Sequence, residues 1–145
     1  MNVRVLGAAS EVGRSGFLVN CDRTNILLDY GVMFARRRDD PPLYPLHLKP
    51  KDVDAAVITH AHLDHSGCVP SLFIGGNTHV YATPPTHDLS ILLIEDMLKI
   101  EKNKHSFDYR HVNSMIKNSK EIGFREPVKI GNATFELRAS GHVIG

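Results

Sequence analysis

Paired cysteines are missing from this chain. Only Cys21 and Cys68 occur, too few for a disulfide framework, and neither stands in a Cys-x-x-Cys or similar spacing. A covalently stapled scaffold and a cysteine-ligated zinc fold are therefore set aside, and both thiols are expected to be packing residues. No apolar run approaches the ~18 residues of a membrane span. Asn2-Val3-Arg4-Val5-Leu6 after Met1 also lacks the apolar core and cleavage site of a secretory leader. The expectation is a soluble, cytoplasmic protein with no membrane partner. Charge of one sign is lacking too: a formal net charge of +1 gives no general attraction for phosphates, and composition argues neither for nor against RNA. Arg36-Arg37-Arg38 is locally basic, but Asp39-Asp40 follows at once, so a solvated loop is expected rather than a phosphate clamp. Internal repeats and low-complexity tracts are absent. What remains, 145 residues, is about one domain and can bury roughly 70% of its unfolded surface.

Short β-type segments fill the first third. Residues 3–6, 16–19 and 25–29 are apolar or β-branched runs punctuated by Gly, Asn and Asp, which predicts a meander of neighbouring strands. Residues 31–50 hold four of the eight prolines and are expected to form a long surface loop. Residues 54–59 read as a buried strand. A short helix is expected over 70–74, a turn at Gly75-Gly76-Asn77 and a strand over 79–83. From Pro84 a helix is predicted whose inward face carries Leu89, Leu92, Leu93, Met97 and Ile100, capped by Thr83 or Thr86. A second helix is expected over 109–118 with Val112, Met115 and Ile116 inward. Residues 127–130 and 133–139 should then pair as a hairpin about Gly131-Asn132.

The densest chemistry lies in Thr59-His60-Ala61-His62-Leu63-Asp64-His65, three imidazoles and a carboxylate directly behind the apolar Ala55-Ala56-Val57-Ile58. In an extended or turning segment side chains alternate with a period of two, so His60 and His62 point the same way and can share one ion. Asp64 and His65 turn toward a second position. Imidazole nitrogen mixed with carboxylate oxygen suits a hydrolytic metal site with an open coordination position better than a closed structural one. The other reading is a cluster of histidines on a solvated loop. His47, His79, His87, His105 and His111 have no comparable spacing and are expected to be surface or partly packed.

His60, His62, Asp64 and His65 match the His-x-His-x-Asp-His signature of the metallo-β-lactamase superfamily. The longer run from Ile58 to Gly67, with Pro70, resembles its β-CASP nuclease branch. Gly7-Ala8-Ala9-Ser10-Glu11-Val12-Gly13-Arg14-Ser15, Leu27-Leu28-Asp29-Tyr30-Gly31 and Gly141-His142-Val143-Ile144-Gly145 extend the likeness to the cleavage and polyadenylation specificity factor nucleases of archaea and eukaryotes. The resemblance covers the whole chain and only the amino-terminal part of the family's domain. It implies an α/β (α+β) fold, the amino-terminal half of an αββα sandwich. Residues 1–145 would then be part of a metallo-β-lactamase domain whose second half and β-CASP insertion lie elsewhere. The small apolar ending Val143-Ile144-Gly145 agrees with a piece of a longer chain.

Carried over residue by residue, the resemblance places one zinc on His60, His62 and His142 and a second on Asp64 and His65, with a bridging aspartate not among these residues. Two such ions ~3.5–4 Å apart acidify a water between them. Asp64 would orient that water as a proton acceptor, or serve as a ligand only. Asp29 would receive the free N–H of a ligand histidine, or be a plain turn aspartate. Gly141 is expected to let the backbone of His142 approach the site closely. Arg14 is a candidate phosphate contact, although a tight turn without function fits Glu11 to Ser15 equally well. The implied activity is a zinc-dependent ribonuclease in mRNA 3′-end processing or RNA decay, with RNA as substrate, other processing subunits as candidate partners and a homodimer open. Alternatives are a small-molecule hydrolase of the same fold acting on a thioester or lactam, a DNA-directed relative, or a non-catalytic processing-complex subunit. By itself the chain is expected to be inactive and to expose an apolar sheet face.

Overall fold

A computed structural model gives the fold and describes every residue except Arg36, Arg38 and Asp39. Strands β1 (Asn2–Gly7), β2 (Gly16–Cys21) and β3 (Thr24–Tyr30) form the antiparallel meander that their punctuated apolar runs predict. Strands β4 (Ala55–Val57), β5 (His79–Ala82) and β6 (Ser119–Glu121) then add in parallel, giving one sheet in the order β1-β2-β3-β4-β5-β6. Parallel pairing demands crossover connections. Here they contain α1 (Leu63–Ser66), α2 (Pro84–Ile100), α3 (Tyr109–Asn118) and two 3₁₀ turns, Pro50–Asp52 and Val69–Phe73. The carboxyl ends of β3, β4, β5 and β6 consequently share one edge of the sheet, the edge at which open α/β sheets hold ligands.

Each face of this sheet buries its own cluster. The row Leu18, Leu27, Ala56, Val80 faces the helices and packs with Val69, Leu72, Ile94, Val112 and Met115. The rows Val19, Ile26, Ala55 and Phe17, Leu28, Val57, Tyr81 face the other way. Their inner members lie under a second, two-stranded sheet, β7 (Val128–Ile130) and β8 (Ala133–Phe135), which contributes Val128, Ile130, Ala133 and Phe135. That hairpin covers only part of the face. Val3 and Val5 of β1 continue the same rows through Val19 and Phe17, and they stay 54% and 44% exposed. Cys68 is buried and free, and burial pushes its thiol up to about 12. Cys21 is free and half-buried. No helix among the described residues is long and apolar enough to cross a membrane.

Several elements differ from the sequence expectation. On α2 the buried positions are Thr86, Ser90, Ile94 and Met97, whereas Leu89, Leu92 and Ile100 are exposed. The helix is apolar on more than one stripe, and its small Thr86 and Ser90 lie on the stripe that is buried. Thr83 caps it, accepting from Thr86 N–H. The segment near Pro70 is a 3₁₀ turn rather than an α-helix. β8 stops at Phe135, leaving only a single bridge from Leu137 to Phe124. The proline-rich stretch buries Val32, Pro42, Pro45 and Leu48, so it is partly a covering loop. Arg36 and Arg38 of the basic run lie outside the described residues. Helix α3 has the expected range and buries Val112 and Met115, held at its start by a capping box between Asp108 and His111.

Candidate metal centre

β4 ends at Val57, and Ile58 N–H still bonds Tyr81 C=O, so the chain leaves the sheet at Thr59 with His60 and His62 on its edge. His62 then begins α1, and the single turn Leu63–Ser66 brings Asp64 and His65 back toward the same edge. Ser66 is fully buried and its hydroxyl points to the carbonyls of Ala61 and His62, 2.9 and 3.1 Å away. Neighbouring backbone fixes the turn from outside. Ser15 N–H donates to Asp64 C=O at 2.8 Å, Val32 N–H to Leu63 C=O at 2.8 Å, and Gly31 N–H to Ser15 C=O at 2.8 Å. Gly31 lies flat against the Asp64 carbonyl, where any Cβ would collide with backbone atoms. The loop carrying Ser15 holds Ala8, Ser10 and Arg14 in the left-handed region, with φ of 64°, 60° and 41°. Such strain persists only where the surroundings over-determine the backbone.

Asp29, 5% exposed at the end of β3, organises the histidines. Its carboxylate accepts Thr59 N–H at 2.8 Å, the Thr59 hydroxyl at 2.8 Å and His65 Nδ1 at 2.8 Å. An ionised carboxylate can only accept, so the His65 proton sits on Nδ1 and Nε2 offers a lone pair. The Thr59 hydroxyl has spent its proton on Asp29, so its oxygen accepts from His60 Nδ1 at 3.0 Å, and His60 Nε2 is likewise left as a lone pair. One buried carboxylate thereby sets the tautomers of two histidines. Burial holds the His60 pKa below its ordinary value, with His65, His62 and His142 adding to this against the pull of Asp29. His65 is raised, first by its bond to Asp29 and then by the charges of Asp29 and Asp64, against burial.

The free nitrogens converge. His60 Nε2 and His62 Nδ1 are 3.2 Å apart, and ligand atoms of His60, His62 and His142 all lie within 4.8 Å of one another. Two nitrogens bound tetrahedrally at ~2.0–2.1 Å stand about 3.3 Å apart, so the cluster fits a metal ion. His65 Nε2 and Asp64 Oδ2 are 3.6 Å apart beside it, and the His60 and His65 rings are 4.1 Å apart. His142 reaches the cluster from an exposed bend, its N–H bonded to Ser140 Oγ at 3.3 Å. Gly141 serves there by its φ of +79°; a Cβ at that position would meet nothing within 4 Å, so the expected close backbone approach is not what requires it. An open cavity of ≈ 500 Å³ borders His60, His142, Thr59 and Thr83. On the other side His62 and Asp64 border Val12, Phe34 and Leu93. Arg14 is engaged with Glu11 Oε1 at 2.6 Å and Tyr44 C=O at 3.1 Å.

Residues 11–128 match the family description "Metallo-beta-lactamase superfamily". The chain belongs to the metallo-β-lactamase superfamily. Metal binding is the common property of that superfamily, and the donor set described above fits it. Among relatives, the chain is 37% identical to "RNase aCSPSF2" of Saccharolobus solfataricus over 144 residues, covering 99% of this chain and 29% of that protein. It is 36% identical to "Transcription termination factor FttA" of Pyrococcus abyssi, covering 97% of this chain and 24% of that protein. The chain thus spans about a quarter of the length of the curated relatives it matches. Among solved structures, a subclass B3 metallo-β-lactamase with an active-site glutamic acid superposes with a TM-score of 0.53 at 16% identity, over 92% of this chain and 47% of that one. At that identity it shows the superfamily fold alone.

Thr59, Ser15 and Gly31 are parts of this centre that the sequence reading did not single out as site residues. Thr59 could have been found from its place between the strand and the first histidine, because a hydroxyl there reaches both Asp29 and His60. Gly31 follows directly on Asp29-Tyr30 at the end of β3. Ser15 acts through its backbone and leaves no signal.

Proposed function

We propose that this chain is the ligand-bearing part of a zinc-dependent ribonuclease that hydrolyses RNA phosphodiester bonds. The convergence of His60, His62 and His142 beside Asp64 and His65 carries the reading. The 37% identity to a named ribonuclease supports RNA over a lactam substrate, since the likeness to the lactamase is 16%. His60, His62 and His142 would hold one zinc, Asp64 and His65 a second in a protein of the relatives' length, completed by ligands from outside residues 1–145. Zinc bound there supplies Lewis acidity toward a phosphodiester oxygen and a water nucleophile at neutral pH. Asp64, partly exposed at the rim, is the group placed to accept a proton from water. Asp29 and Thr59 hold the ring protons of His65 and His60 on Nδ1, which aims their Nε2 atoms at the cluster. RNA affinity comes mostly from phosphate contacts away from the ions.

Labelled RNA incubated with the protein that contains this chain tests the reading. Cleavage is expected to be abolished by chelation and by His62→Ala, with RNA binding nearly unchanged. Undiminished cleavage by His62→Ala would remove the proposed centre, and equal loss of binding would make the metal a structural element.

A further inference from the structure

A second donor cluster stands on the same sheet edge, at the ends of β5 and β6. Glu121 closes β6 in register with Ala82 of β5, on the face covered by α2, and His87 and Asp88 lie in the second turn of α2 just beyond its cap. His87 Nδ1 is 3.4 Å from Glu121 Oε1 and 3.5 Å from Asp88 Oδ1, and the three ligand atoms lie within 4.8 Å of one another. These separations are long and misaligned for hydrogen bonds. Both His87 ring nitrogens are buried and have no hydrogen-bond partner among the described residues. A buried imidazole nitrogen without a partner is costly, and the two carboxylate oxygens that Nδ1 faces could accept its proton but stand outside hydrogen-bond geometry. Two ligands of a tetrahedral ion at ~2.0–2.1 Å stand about 3.3–3.4 Å apart, close to both observed spacings.

We propose that His87 Nδ1, Asp88 Oδ1 and Glu121 Oε1 form a second site for a divalent first-row transition metal of the zinc class, separate from the His60, His62 and His142 cluster. One imidazole with two carboxylates is a borderline donor set suited to such an ion. Asp88 and Glu121 are 80% and 50% exposed, which leaves water to complete the coordination and an open route for entry. The positive end of α2 opposes a cation, and the two carboxylates outweigh it. The adjacent cation does not compete, because Lys120 points to the opposite face, over the Tyr81 ring at 5.7 Å.

The test titrates Zn²⁺ alone into the chelator-stripped chain carrying His62→Ala, which disables the first cluster. One zinc is expected to remain, with Glu121→Gln or His87→Ala weakening it by about tenfold or more. Zinc-edge anomalous diffraction of the unaltered chain is the second measurement, with a peak expected between His87, Asp88 and Glu121. Unchanged zinc binding in Glu121→Gln, loss of all zinc with His62→Ala alone, or an anomalous map without that peak would each overturn the proposal.

Discussion

The arm of the metal centre built by β3, β4 and α1 and the arm that carries His142 reach the same point by different means. In the first, Asp29 is buried and accepts three hydrogen bonds, and the α1 turn is tied to Ser15 and Val32 through backbone groups. In the second, His142 sits on an exposed bend with one bond, to the Ser140 hydroxyl. The first arm is positioned by folding alone. The second is an exposed bend with little packing to select one rotamer. On the proposed reading, a metal ion would meet a prepared pair of histidines and recruit the third, and the ordering cost of recruitment would be subtracted from its affinity.

The most severe way to break this contrast is to remove Asp29. Asp29→Ala leaves Thr59 N–H, the Thr59 hydroxyl and His65 Nδ1 without their acceptor, and it places alanine at a φ of 56°. The expected loss is about 3–5 kcal/mol of unfolding free energy for the metal-free chain, measured in urea. Asp29→Asn keeps a residue that tolerates the left-handed backbone and should lose roughly half as much. A loss below about 1 kcal/mol for the alanine variant would mean that the first arm is not organised by folding.

Gly31→Ala sharpens the comparison without removing any polar group. The added methyl falls on the Asp64 carbonyl, a backbone atom that cannot rotate away, so β3 and α1 must separate. An overpacking cost of about 1–3 kcal/mol is expected, together with weaker zinc binding because Asp64 and His65 move. Preserved zinc affinity alongside lost stability would show that the turn's seating does not matter to the ligands.

The first arm was largely legible in the sequence because its residues are local. Asp29 ends an apolar strand, and His60, His62, Asp64 and His65 follow another apolar run within six residues, so a period of two and one turn suffice to bring them together. His142 was legible only through the family resemblance, since no spacing relates a residue on a distant bend to β4. Packing partners were harder to read. On α2 the apolar Leu89 and Leu92 are exposed while polar Thr86 and Ser90 are buried, and because the helix carries apolar residues on more than one stripe, periodicity alone could not choose the inward one. Strand β6, Ser119-Lys120-Glu121, has no apolar alternation at all and exists through its pairing with β5. In the sequence His87 is indistinguishable from an ordinary histidine, because Glu121, its neighbour in space, is far away along the chain.

The smallest expected effect comes from the second arm. His142→Ala removes an exposed side chain whose ring makes edge contacts with His60 and His62 at 5.1 and 5.4 Å and fills no core, so the metal-free chain should unfold within about 0.5 kcal/mol of the parent. The difference should emerge only with zinc. At free zinc about 100 times the parent dissociation constant for this cluster, binding adds about 2.7 kcal/mol to the parent. If losing one of three ligands weakens binding about 100-fold, the same zinc concentration adds only about 0.4 kcal/mol to the variant. Paired urea titrations with and without zinc measure that gap of roughly 2 kcal/mol, and repeating them in a Glu121→Gln background removes any contribution from the second cluster. A variant already destabilised without zinc would show that the bend at His142 is held by the fold, and the contrast between the two arms would then collapse.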